Sequence, residues 1–167
     1  VWRRAVLLYS DENITEKTCL LCGKETCIGL SIPSPRFWSV GAPNLYDIKY
    51  TLFAKGEKVD EVEGYFGIRR IDICEKKILL NGKPVFQRLI LDQGFYPDGI
   101  YTASSEEELK RDIEYSMKLG FNGARMHEKV FEERYLYHAD KMGYLLWGEY
   151  ADWGIDTTSP DTLHTLL

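Results

Sequence analysis

The chain has 167 residues, 44% of them hydrophobic and 28% charged, with a formal net charge of −5. This composition excludes a disordered segment, and the acidic balance speaks against nucleic acid, whose phosphates need a basic face. There is no run of about 18 apolar residues and no secretory leader pattern, so neither a membrane span nor a membrane partner is expected.

The chain enters a strand-like run, WRRAVLLYS, directly after Val1, and a longer parent is expected. Residues 1 to about 66 read as β. Short runs at Val6–Tyr9, Thr18–Leu21 and Thr26–Ile32 are separated by Ser10-Asp11-Glu12-Asn13 and Gly23-Lys24. Ile32-Pro33-Ser34-Pro35 is a connection, because proline cannot donate in a central strand. Ile48, Tyr50 and Leu52 alternate with Lys49, Thr51 and Phe53, the mark of a half-buried strand. Lys55-Gly56-Glu57 turns that strand back along Val59–Phe66. Short antiparallel strands with frequent turns predict part of a β-sandwich.

The pattern changes near Gly67-Ile68-Arg69-Arg70. Ile71–Cys74 and Lys77–Leu80 form a hairpin, followed by the turn Asn81-Gly82-Lys83-Pro84. Phe86–Leu91 is an apolar strand ending at Asp92, and an aromatic loop runs on through Gly99. A helix then opens at Ser104 or Ser105. Ser105 with Glu108 fits a capping box, and Leu109, Ile113 and Met117 form the buried stripe.

The run from Gly120 to Glu149 reads as strand, helix, strand. Phe121–Met126 leads to His127. Phe131, Tyr135, Leu136, Ala139 and Met142 recur at helical spacing, and Gly143 sits at the C-cap. Tyr144–Trp147 runs into Glu149. Two parallel strands joined by a helix finish at one end of a sheet, where α/β folds place their sites. Asp92, Arg125, His127, Glu128 and Glu149 are therefore the candidate rim residues. A charge ending an apolar strand must face a polar cleft or a partner. A polar site and a structural ion-pair network both fit this pattern. His138, on the polar side of its helix, reads as surface. The tail after Ala151 carries Trp153 and a possible element at Thr162–Leu167.

Cys19, Cys22, Cys27 and Cys74 read as free, partly buried thiols, with a metal site or a disulfide as alternatives. The three histidines, His127, His138 and His164, lie far from the first three cysteines. No metal or cofactor is expected. Free thiols favour a reducing, cytoplasmic setting over a periplasmic or extracellular one.

Several ordered motifs resemble glycoside hydrolase family 2, the β-galactosidase and β-glucuronidase family. They are Pro35-Arg36-Phe37-Trp38-Ser39, Ala42-Pro43-Asn44-Leu45-Tyr46, Gly67-Ile68-Arg69, Leu80-Asn81-Gly82-Lys83-Pro84, Arg111-Asp112, Met117 to Asn122, Arg125, and Asp140-Lys141-Met142-Gly143. The resemblance implies a multi-domain β plus α/β protein. An immunoglobulin-like β-sandwich, here its C-terminal part at residues 1–69, would precede a (β/α)8 barrel, here its first three βα units at residues 70–167. It implies retaining hydrolysis of terminal β-linked sugars and a carbohydrate partner. The family's acid/base and nucleophile glutamates end its fourth and seventh barrel strands. Neither has a position in this chain, so the isolated chain is expected to be inactive, and an open barrel start to self-associate. Arg125 matches the arginine that sits beside the family nucleophile, and Glu149 matches an acidic residue ending strand three. Leu91-Asp92-Gln93-Gly94 departs from the Asn-Arg-His-Glu-like run of many β-galactosidases. The family histidine three residues after the arginine is Glu128 here, with His127 one place earlier. The rival reading is a non-catalytic carbohydrate-binding module using Trp38, Tyr46, Tyr96 and Trp153.

Overall fold

The structure is a computed structural model. It describes the backbone of residues 3–10 and 14–21, and residues 29, 31–151 and 158 in full. Two compact units are present, one formed by residues 1–38 and 44–70, the other by residues 39–43 and 71–167.

The first unit is a four-stranded antiparallel sheet of β1 (Arg3–Ser10), β2 (Ile14–Leu21), β3 (Leu45–Ala54) and β4 (Glu57–Gly67), in the order β2-β1-β3-β4. Lys55 and Gly56 both take positive φ, the primed turn whose twist matches a tight hairpin. β4 is an edge among the described strands. It carries Glu57, Lys58, Asp60, Glu61 and Glu63, charges that discourage edge-to-edge pairing.

The expected alternation along β3 holds only over its first half. Tyr46 and Ile48 are buried, but Tyr50 is exposed and Thr51 is buried instead. Tyr46 and Ile48 pack with Ile32, Phe66 and Ile68, and Tyr50 lies beyond that cluster. On the other face Thr51 is short. Its hydroxyl donates to Glu61, which Lys49 and Lys58 also hold. Burial here follows what covers each residue, not the pleat alone. Of the strand expected over Thr26–Ile32, only Gly29, Ser31 and Ile32 are described, and none is in a strand.

The motif residues near the end of this unit are structural. The Tyr46 hydroxyl accepts from the Arg36 amide at 2.7 Å, Phe66 stacks on Tyr46 at 5.1 Å, and the Trp38 amide donates to Ile68 O at 2.9 Å. The Arg69 guanidinium lies 4.8 Å from the Trp38 ring centroid.

The second unit begins with the hairpin β5 (Ile71–Cys74) and β6 (Lys77–Leu80), joined by β7 (Lys83–Pro84). β8 (Leu89–Asp92), α1 (Glu106–Lys118), β9 (Gly123–Met126), α2 (Glu133–Met142) and β10 (Leu145–Gly148) follow. β8, β9 and β10 form a parallel sheet with β9 in the middle. β8 is shorter than the expected Phe86–Leu91 strand. Residues 86–88 leave the ladder because Asn122 takes their backbone. Its amide donates to Phe86 O and its carbonyl accepts from the Arg88 amide, both at 2.8 Å. This burial is specific because an amide side chain supplies both donor and acceptor.

Ser105 is the N-cap of α1, accepting from the Glu108 amide at 3.2 Å. The Glu108 carboxylate returns to the amide and hydroxyl of Ser104, each at 2.8 Å, so the capping box is closed one residue early. α2 ends on Gly143 in the left-handed region, as expected from its sequence. Both helices cover one face of the sheet. Leu109, Ile113, Ala124, Met126, Phe131, Tyr135, Ala139 and Tyr144 form that core. Leu136, assigned to the buried stripe by spacing, is exposed, because residues 135 and 139 already fill the seam. Gly123 has no room for a side chain, since a Cβ there would lie 2.4 Å from Leu145 O and 2.6 Å from Leu89 Cδ2.

Candidate functional site

Register places Leu91, Arg125 and Trp147 in one row across the parallel sheet, and Asp92, Met126 and Gly148 in the next. Adjacent rows point to opposite faces. Met126 is in the helix-covered core, so the Arg125 row belongs to the open face, where Leu91, Arg125 and Trp147 are all exposed.

Arg125 makes a two-point fork to Glu149, just past the end of β10. Its Nε donates to Oε1 in a short contact and its Nη2 donates to Oε2 at 3.2 Å. The guanidinium holds the Glu149 carboxyl below the usual carboxylate range, helped by the backbone N–H of Glu128. Glu149 in turn raises the Arg125 pKa. His127 Nδ1 and Gln93 Nε2 lie 3.1 Å apart, and the His127 amide donates to Asp92 O at 2.8 Å. Glu128 has φ 56, and its backbone N–H reaches the Glu149 carboxylate. His127, Glu128 and Glu149 each offer one ligand atom, all within 4.8 Å of one another. A cation seated there would have to take Glu149 from Arg125. Four of the five expected rim residues thus gather at one point: Arg125, His127, Glu128 and Glu149.

Asp92 is placed differently. Its Oδ1 accepts from the Gly94 amide at 2.8 Å, and Tyr135 Oη donates to its Oδ2 at 3.4 Å. The carboxylate thus faces the helix layer. There, burial pushes the Tyr135 and Tyr96 hydroxyls upward, and raises Asp112 above the usual carboxylate range with Asp92 adding repulsion. Tyr144 is pushed up to about 12, again chiefly by burial, while its hydroxyl shares a 2.6 Å hydrogen bond with Ser116.

Residues 8–69 match the sequence profile of the family described as Glycosyl hydrolases family 2. The chain is 32% identical over 99 residues to a β-galactosidase 2 of Enterobacter cloacae, a match that covers 59% of this chain and 10% of that protein. It is 28% identical over 120 residues to a putative β-glucuronidase of Formosa agariphila, covering 71% of this chain and 14% of that one. A crystal structure of Parabacteroides merdae β-glucuronidase superposes with a TM-score of 0.79 over 90% of this chain and 19% of that chain, at 23% identity. These findings support a glycoside hydrolase family 2 fragment. It spans only 10% to 14% of the lengths of these two curated relatives.

The structure shows which of the motif residues shared with that family are structural. Trp38 and Tyr46, two of the four aromatics in the rival binding-module reading, are 1% and 0% exposed, and Tyr96 is 9% exposed. None of the three can stack on a sugar. Trp153 lies outside the described residues, as do Cys22, Cys27, His164 and the possible Thr162–Leu167 element. Cys19 is described only as β2 backbone. Cys74 is a free thiol but exposed, not partly buried, because it ends β5 on an uncovered hairpin. His138 is no free surface residue. Its Nε2 lies 3.0 Å from Glu106 Oε1, and the side chain is only 12% exposed.

Two contributors are not singled out by the sequence reading. Lys129 donates to Gly94 O at 2.9 Å and Tyr101 O at 2.7 Å. Trp147 shares the Arg125 row. A lysine two residues past His127 and a tryptophan two before Glu149 were the available signals.

Proposed function

We propose that the chain joins an immunoglobulin-like sandwich, ending at residue 69, to the first three βα units of a (β/α)8 barrel in a retaining β-glycosidase acting on terminal β-linked sugars. The observation that carries this is the Arg125–Glu149 fork at the carboxyl ends of adjacent parallel strands, in a chain whose residues 8–69 match the family 2 profile. Barrel enzymes build their sites at that end of the sheet from several strands.

Retaining chemistry needs one carboxyl that carries a proton near neutral pH and another free to attack. Glu149 is held ionised by Arg125 and the Glu128 amide, which excludes the proton-carrying role, and the family resemblance puts the nucleophile on a later strand. Asp92 is turned into the helix layer. The acid/base and nucleophile are therefore assigned to strands beyond these three, and the rim described above orients sugar hydroxyls and the incoming carboxylate. The carbohydrate-binding module loses support with the burial of Trp38, Tyr46 and Tyr96.

The test has two parts. The purified chain should not hydrolyse 4-nitrophenyl β-galactoside or β-glucuronide. Ligand-observed NMR should detect weak binding of the matching methyl glycosides, reduced severalfold by Arg125→Gln. Turnover by the chain, or binding of neither sugar, would reject the assignment.

A further inference from the structure

The loop from Gln93 to Tyr101 leaves the sheet beside the rim and is fixed at several points. Asp92 Oδ1 holds the Gly94 amide, and Lys129 Nζ holds the carbonyls of Gly94 and Tyr101. Tyr96 and Ile100 exchange backbone hydrogen bonds of 2.8 and 3.0 Å. Tyr96 is buried in the core beneath. The Lys129 ammonium also lies 4.9 Å from the Tyr101 ring centroid and 5.0 Å from that of Phe131. Gly94, at φ 64, allows this closure, since a Cβ there would meet Lys129 Nζ at 2.7 Å.

What the clamp presents is an aromatic pair. Phe95 and Tyr101 pack with ring centroids 4.5 Å apart, yet they remain 58% and 55% exposed. Two large apolar rings held facing water by a half-buried lysine are costly unless something covers them. Their position limits the occupant. Gln93, two residues before Phe95, touches His127, which adjoins Glu128 and Glu149. A ligand whose sugar lies at the Arg125–Glu149 rim would place its next group over this loop.

We infer that Phe95 and Tyr101, whose ring planes are tilted by 41°, form a stacking surface for an aromatic aglycone, and that Lys129 is the positioning residue that holds the pair in place. The inference rests on the glycosidase reading for the location of the sugar, but not for the stacking itself. A planar aglycone gains ring-to-ring contact there, whereas a methyl group gains almost none. Because the loop is already ordered, little conformational freedom is lost on binding.

The experiment compares phenyl β-D-galactopyranoside, methyl β-D-galactopyranoside and phenol by ligand-observed NMR on the intact chain. The phenyl glycoside should bind about tenfold more tightly than the methyl one, the gain expected of one good aromatic contact. Phe95→Ala should bring that ratio close to one, and Phe95→Trp should keep it. Lys129→Met should lower it severalfold while circular dichroism stays native. Arg125→Gln should weaken both glycosides and leave the ratio unchanged. An equal affinity for both glycosides in the wild-type chain, or a ratio unaffected by Phe95→Ala, overturns the stacking surface. Phenol binding that is lost in Phe95→Ala, with neither glycoside bound at the rim, retains the stacking surface and rejects the sugar assignment. Absence of binding by all three probes rejects the stacking surface.

Discussion

The two faces of the β8-β9-β10 sheet come from the same dozen residues and behave in opposite ways. The helix-covered face carries Ala124 and Met126 against Ile113, Tyr135 and Tyr144, and its polar groups, Asp92, Ser116 and Asn122, are all hydrogen-bonded. The other carries Leu91, Arg125 and Trp147, and is open. The closed face holds the unit together, and the open face holds the chemistry. A charge can stay at Arg125 because water and Glu149 still reach it. One residue further along each strand, only an apolar or fully bonded side chain is tolerated.

The strongest way to break this contrast is a cavity on the closed face. Ile113 is fully buried, and Ile113→Ala should cost about 3–4 kcal/mol in urea denaturation. A loss below about 1 kcal/mol would mean that the helix layer is not the core.

The next effect concerns the open face. Ile71, Ile73, Ile78, Leu89, Leu145 and Trp147 border a groove of about 320 Å³ in the second unit, and Ile73 is 80% exposed. Apolar surface of this kind drives association. The chain should sediment as a concentration-dependent oligomer, and Ile73→Lys should shift it towards monomer. A wild-type chain monomeric at all concentrations would count against the open face as an association surface.

A smaller effect separates the faces by pH. Burial raises Asp112 above the usual carboxylate range in the folded chain. The folded state therefore binds its proton more tightly than the unfolded chain does. That contribution is complete below the ordinary carboxylate pKa and is lost as pH rises through the raised value. Glu149 has the opposite sign. Its pKa is lowered, so its contribution is present at neutral pH and lost as pH falls through the lowered value. Asp112→Asn should raise the melting midpoint at pH 7 and leave it unchanged near the acid end. An equal shift at both ends would show that Asp112 acts by packing and not by charge.

The smallest change is expected from Arg125→Gln, whose ion pair is open to water. Its melting midpoint should match the wild type while sugar binding falls. A large drop in the midpoint would reclassify the fork as structural.

Much of this was legible in the residues. The order of strands and helices, the Ser105 cap, the Gly143 stop and the turn at Asn81-Gly82 follow from local rules. Each is set by residues within a few positions of one another. The clustering of Arg125, His127, Glu128 and Glu149 was also legible, because parallel strands must end together. Other features depend on residues distant in sequence. Asn122 shortens β8 from over thirty positions away, and Tyr135 draws Asp92 into the helix layer. Glu61 covers Thr51, Glu106 engages His138, and Lys129 ties down a loop that precedes it by roughly thirty residues. Periodicity states which residues share a face. It does not state what covers that face, and burial, ionisation and the direction of a strand-ending carboxylate are decided by the cover.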